Sequence, residues 1–251
     1  MILTLTTNQI TAFKTSFQVL DTLISEVNLE ISATGIVIRE VNKSSKLLVS
    51  LTFLEENFDT YEYKHALPTF NLGIDLSSIT QRLKSPLKYD SLSLSISESS
   101  AHLRLENFSR KEKKSFKLKT LKSCPVSCSV APVEYSVCVT ISSDLLNKYV
   151  KELNASCETF SISVNSGSLC ESRFLCLENS ETSYTLYESN YLSILSEDNV
   201  DVSTTLIGTY FCLLSKLASL HETVSIYLAN NSFTSCKYTL GSLGSLVIVL
   251  L

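Results

Sequence analysis

The order of helix-patterned and strand-patterned stretches occurs twice along the chain, and such a repeat limits the fold more than any bulk property does. Helical periodicity spans about Asn8–Leu23 and Leu76–Lys84 in the first half, and about Leu145–Leu153 and Ile207–Leu220 in the second. Runs of alternating apolar and polar residues fill the intervals. At 251 residues the chain accommodates two domains of about 125 residues each. The expected class is α+β, with two similar domains, each carrying two helices packed on antiparallel sheets. Each helix has an apolar stripe and a polar face bearing Lys or Arg, although the chain has a net charge of −4. Positive charge confined to helical faces of a duplicated, acidic protein implies that these faces meet a polyanion.

Met1–Thr7 alternates as a short strand, and Thr7 or Asn8 is placed to cap the first helix. Ile10, Phe13, Phe17, Leu20 and Ile24 form that helix's stripe. Val27–Ser32 and Ile36–Val41 read as strands joined at Thr34-Gly35, followed by Leu47–Leu54. The second helix points Leu76, Ile79 and Leu83 inward and ends at Pro86. Leu92–Ile96 with Ala101–Leu105 predict a hairpin, and Ser115–Leu118 a further strand. The pattern lapses in KTLKSCPVSCSVAPV, which holds two of the four prolines and reads as an extended linker. It resumes with Tyr135–Ile141, a helix capped by Ser142 or Ser143, and a last helix burying Tyr210, Leu213, Leu214 and Leu217. Overlaying the halves by their lysines puts Lys14 opposite Lys148.

Apolar residues make up 44% of the chain and charged residues 18%, which excludes a disordered protein. The acidic balance excludes a uniformly basic nucleic-acid-binding domain but not a local basic patch. No charged-then-apolar leader is apparent, so the eight cysteines are expected as free thiols, with Cys138, Cys176 and Cys212 packed in apolar runs. The longest apolar run, Leu246–Leu251, is far too short to cross a bilayer as a helix, so no membrane association is expected. His65, His102 and His221 have no metal-ligand spacing, and no phosphate-binding glycine loop or nucleophile elbow is present. No cofactor and no metal are expected. Cys124 and Cys128 have a zinc-compatible spacing without a second ligand pair, which keeps a thiol- or metal-dependent enzyme only as a remote alternative.

Five segments in order carry a resemblance: NLEISATGIVI, LLVSLTFLEENFDTY, LGIDLSSITQRLK, PVEYS and GSLGSLVIVLL. With the duplication, they make the chain resemble eukaryotic-type DNA sliding clamps, the proliferating cell nuclear antigen family, over essentially its whole length. The resemblance implies a DNA-clamp fold with domains at 1–118 and 134–251, a connecting loop at 119–133, and assembly into a ring, usually a homotrimer. It implies a processivity factor without enzymatic activity that surrounds double-stranded DNA regardless of sequence. Such a ring is placed by a clamp loader, and it tethers DNA polymerase and other proteins through short peptide motifs. The expected location is the nucleus or a viral replication compartment. An alternative is one subunit of a heterotrimeric checkpoint-type clamp, or a viral clamp of different stoichiometry.

By position, Lys14, Lys84, Lys148, Lys151 and Lys216 match basic pore residues of the family, and Arg82 lies nearby. Asp21 and Gln81 occupy two positions where the family has basic residues, so a less positive pore is expected. The resemblance assigns a partner-peptide groove to Val41, Leu48, Val126, Val130, Phe233, Val249 and Leu251. It assigns a subunit interface to the edge strand Ser115, Phe116, Lys117 and Leu118, and places the complementary edge within Ser172–Glu178. The basic run Arg110–Lys114 reads as a solvated hairpin tip.

Overall fold

The computed structural model describes residues 1–84, 89–122, 134–165, 173–196, 200–230 and 232–250, with 211 and 213–216 described by their backbone alone. Two compact units are present: Met1–Cys128 with Thr239–Leu246, and Ser129–Tyr238 with Val247–Leu251.

The first unit runs β1 (Leu3–Thr7), α1 (Ile10–Leu23), β2 (Glu26–Ser32), β3 (Gly35–Val41), β4 (Leu47–Leu54), β5 (Thr60–Tyr63), β6 (Thr69–Asp75), α2 (Leu76–Thr80), β7 (Ser91–Ile96), β8 (Ala101–Asn107), β9 (Glu112–Leu118) and β10 (Thr120–Leu121). The strands lie in the orders β5-β1-β7-β8-β9 and β10-β6-β2-β3-β4, with antiparallel neighbours. The remaining elements, in the second unit apart from Thr239 and residues 244–246, are β11 (Val137–Ser142), α3 (Ser143–Ser156), β12 (Thr159–Asn165), β13 (Phe174–Glu178), β14 (Ser183–Tyr187), β15 (Leu192–Ser196), β16 (Asp201–Ile207), α4 (Gly208–Leu214), β17 (Thr223–Leu228), β18 (Thr234–Thr239) and β19 (Gly244–Leu250). Their strand orders are β15-β11-β17-β18-β19 and β14-β13-β12-β16. Adding ten to each strand label of the first unit reproduces the second, apart from the short β10. The repeat in the sequence is thus a repeat of topology.

Local patterning explains the elements. In β7 the serines alternate with buried Leu92, Leu94 and Ile96, and in β8 Ala101, Leu103 and Leu105 face the same side. Helix α1 buries Ile10, Phe13, Phe17 and Leu20. Phe13 and Phe17 pack with Phe53 of β4, their ring centroids 4.7–6.1 Å apart. The β2–β3 turn forms where expected, with Gly35 at φ +141° and no room for a Cβ beside the Phe53 carbonyl. The segment Thr239–Leu246 belongs to the first unit, where the Leu54 amide donates to the Leu243 carbonyl at 3.3 Å.

Several expectations need correction. Neither long helix is capped by a side chain: Gln9 and Ser142 hold the cap positions, and Thr7 Oγ1 instead accepts from the Gln9 amide at 3.0 Å. The second helix does have such a cap, Asp75, whose Oδ1 accepts from the Ser77 amide at 3.0 Å. The last helix is broken: α4 stops at Leu214 and passes into a 3-10 segment, Ser215–Ser219, with Leu217 buried and Tyr210 only half-buried. The side chains of Leu213 and Leu214 lie outside the described residues, as do Pro86 and most of the linker.

Candidate functional site

In the first unit α1 packs against α2, and in the second α3 packs against α4. Matching the two 14-residue helices by what they bury places Ile10, Phe13, Phe17 and Leu20 with Ser143, Leu146, Val150 and Leu153. In this frame Lys14 corresponds to Asn147 and Lys148 to Thr15. The overlay of Lys14 on Lys148 is therefore wrong by one residue, because burial and not charge sets a helix's rotation against its core. The positive charge recurs in both halves without occupying equivalent positions.

Lys14 reaches past the end of α2, which stops at Thr80 and not at Lys84 as expected, and its Nζ donates to the Lys84 carbonyl at 3.4 Å. Lys14 and the exposed Lys84 thus lie together just beyond α2, at carbonyls whose partial negative charge favours a cation. Arg82 is exposed but turns elsewhere: its guanidinium lies 5.2 Å from the ring centroid of Phe116 on β9. Asp21 has a structural task. Its carboxylate accepts from Thr80 Oγ1 at 2.7 Å and ties α1 to α2. Gln81 is exposed.

On α3, Lys148 and Lys151 are both exposed. Lys148 Nζ lies 5.7 Å from the Tyr149 ring centroid, Tyr149 packs on Tyr184 at 4.5 Å, and the Tyr184 hydroxyl donates to Glu152 at 2.5 Å. That hydrogen bond to Glu152 raises the Tyr184 pKa. Burial pushes the Cys212 thiol of α4 up, and the charge of nearby Lys151 opposes that shift. The Lys216 side chain lies outside the described residues. Asn154, which matches Asp21 in the burial frame, also faces the second helix: a Cβ on Gly208 would collide with its side-chain oxygen.

The free edges differ from those expected. Strand β9 ends the order β5-β1-β7-β8-β9, so Ser115, Phe116, Lys117 and Leu118 do lie on an edge, with Leu118 buried and Phe116 half-buried. The strand starts at Glu112, so Lys113 and Lys114 belong to it and not to a hairpin tip; Lys111, at φ +55°, marks the turn. In the second unit β13, which covers Phe174–Glu178, is paired on both sides, and the edge beside it is β14. The alternation in SYTLY is the signal that would have revealed it, since Tyr184 and Leu186 face one side and Thr185 and Tyr187 the other.

The sequence profile of the proliferating cell nuclear antigen N-terminal domain matches residues 2–125. A probable DNA polymerase sliding clamp 1 of Paramecium bursaria Chlorella virus 1 is 22% identical over 242 residues, covering 94% of this chain and 91% of that protein. The proliferating cell nuclear antigen of Chaetomium thermophilum is 25% identical over 227 residues, covering 87% and 85%. That of Saccharomyces cerevisiae is 24% identical over 231 residues, covering 86% and 84%. The chain is a divergent member of the proliferating cell nuclear antigen family.

Of the positions expected in a partner-peptide groove, Val41 and Leu48 are cross-strand partners of β3 and β4, half-buried and buried respectively. In the second unit Val249 is buried in β19, while Phe233, just before β18, is 41% exposed. Val126, Val130 and Leu251 lie outside the described residues, as do Cys124 and Cys128. Cys138, Cys157, Cys176, Cys212 and Cys236 are free thiols. No group of three potential metal ligands occurs among the described residues.

Proposed function

We propose that this chain is a DNA sliding clamp, a non-catalytic processivity factor whose subunits close into a ring around duplex DNA. The observation that carries the reading is the duplicated β-α-β unit, in each copy of which a packed helix pair has lysines on it or just beyond its end, on an otherwise acidic chain. Lys14, Lys84, Lys148 and Lys151, with Lys216, would meet phosphates, and Arg82 plays a smaller part because Phe116 holds it. Phosphate contacts carry no sequence information, and a few suffice for a ring held by topology. The exposed Phe233, with Val41, Leu48 and Val249 and the undescribed Val126, Val130 and Leu251, would seat short partner peptides, among them those of a DNA polymerase. A loader that opens the ring is required, since a closed ring cannot thread onto internal DNA. The subunit contact would join β9 of one copy to β14 of the next and so remove two bare edges. The place of action would be the nucleus or a viral replication compartment.

Light scattering at several concentrations, followed by retention on circular DNA, tests this. A mass near three times 27.8 kDa, with retention abolished when the circle is cut, is the expected result. A monomeric mass at every concentration, with no retention, would refute a self-sufficient ring and move the reading to one subunit of a heteromeric clamp.

A further inference from the structure

Of the edge strands, β9 is basic and β14 is flanked by carboxylates. The ten residues Arg110–Lys119, which include all of β9, contain six basic residues and one acidic. Glu178–Glu188, which spans β14 and the turn before it, contains three acidic residues and no basic one. On β9, Lys113 and Lys117 are exposed and two strand-pairs apart, so they project from one face. Lys113 reaches Glu106 of its own unit at 3.3 Å, while Lys114 and Lys117 make no salt bridge among the described residues. At the other edge Glu178, paired in register with Ser183, and Glu181 are both exposed and likewise make no salt bridge among the described residues. Each strand has a paired neighbour on one side only.

Two copies of β9 placed together would set lysines beside lysines, and two copies of β14 would bring their flanking carboxylates together, so neither edge favours pairing with itself. The complementary arrangement is basic β9 against β14 of another copy with its flanking carboxylates. It is heterologous and head-to-tail, and it leaves each copy of a pair with one of these two edges still to be matched, the condition for a closed ring. We propose that subunit association of this protein is keyed by charge: the β9 lysines recognise the carboxylates flanking β14 of a second copy, and ionic strength sets how tightly they associate. The inference rests on the clamp reading above and adds the chemistry that selects the partner edge and excludes self-pairing of like edges. Exposed charge pairs are screened over about 10 Å at 0.1 M salt, so this pairing weakens measurably as salt rises.

The test is sedimentation velocity on the full chain between about 50 and 500 mM NaCl, across a range of concentrations. Wild type is expected to associate less tightly by about tenfold or more at the upper end. The Lys113→Glu/Lys117→Glu variant is expected to stay monomeric, as is Glu178→Lys/Glu181→Lys. The chain carrying all four substitutions, with the polarity of both edges inverted, is expected to reassemble, which also shows that the altered strands still fold. If wild type assembles but neither salt nor the paired substitutions change its association constant, charge keying is overturned while the ring stands. Failure of the four-fold variant to reassemble, with an unchanged far-UV spectrum, would equally overturn it. A wild type that is monomeric even at the lowest salt overturns the ring reading and this inference with it.

Discussion

The Gly208→Ala substitution tests how closely the two helices of the second unit approach. Gly208 opens α4 and its amide donates to the Glu158 carbonyl at 2.8 Å. A Cβ there would strike the Asn154 side-chain oxygen and stand 3.0 Å from its Cγ and 3.1 Å from its Cβ. That oxygen is buried and has no hydrogen-bond partner among the described residues, so removing it breaks no hydrogen bond to it there. Alanine would by itself favour a helix over glycine by up to about 1 kcal/mol, while forcing a methyl group into packed surroundings costs about 1–3 kcal/mol. A net loss of about 1–2 kcal/mol is expected, or a fall in Tm of roughly 2–8 °C for a protein of this size. Asn154→Ala removes the obstructing oxygen and Cγ together with an unpaired buried acceptor, so by itself it should be close to neutral. In that background Gly208→Ala should fall within about 0.5 kcal/mol of neutral, giving a coupling energy of about 1–2 kcal/mol. Urea unfolding of the four proteins at one fixed concentration measures it, the fixed concentration keeping the contribution from association the same in each. If Gly208→Ala alone is as stable as wild type, or costs the same in both backgrounds, the close-approach argument is wrong.

Replacing Lys148 and Lys151 with Ala should weaken retention on circular DNA and lower the salt slope by about 0.9 for each phosphate no longer neutralised, with the solution mass unchanged. Asp75→Ala removes the cap of α2 and should cost about 1 kcal/mol at neutral pH by urea denaturation. The hydrogen bond from Ser77, and then the interaction with Lys119 at 3.1 Å, hold the Asp75 pKa below its usual value. Its stabilisation is thus complete above the ordinary carboxylate range and disappears as pH falls through the lowered folded value. The gap between wild type and Asp75→Ala should accordingly close on acidification. Cys236 is fully buried and its thiol is pushed up to about 12, so an aromatic disulfide reagent should leave it unmodified in the native protein and label it on unfolding. Rapid labelling of the native protein would mean that β18 opens freely.

The apolar stripe Phe13, Phe17 and Leu20, the alternation of β7 and β8, the turn at Gly35 and the doubling of the layout could all be read from the chain alone. Each is a pattern of neighbours at a spacing of two or between three and four, and such spacings decide which face of an element avoids water. What the tertiary structure decided was which strands lie beside which. That Phe174–Glu178 is interior and Ser183–Tyr187 an edge depends on which strands pair, and both segments have acceptable strand patterns. The rotation of α1 and α3 also followed burial and not the lysines that suggested an overlay. Likewise, Arg82 turns to Phe116 and Asp21 to Thr80 because a folded neighbour supplies the partner. Local periodicity thus set the elements and their buried faces, whereas long-range packing chose the edges and the direction of the charged side chains, since those depend on neighbours that no local window contains.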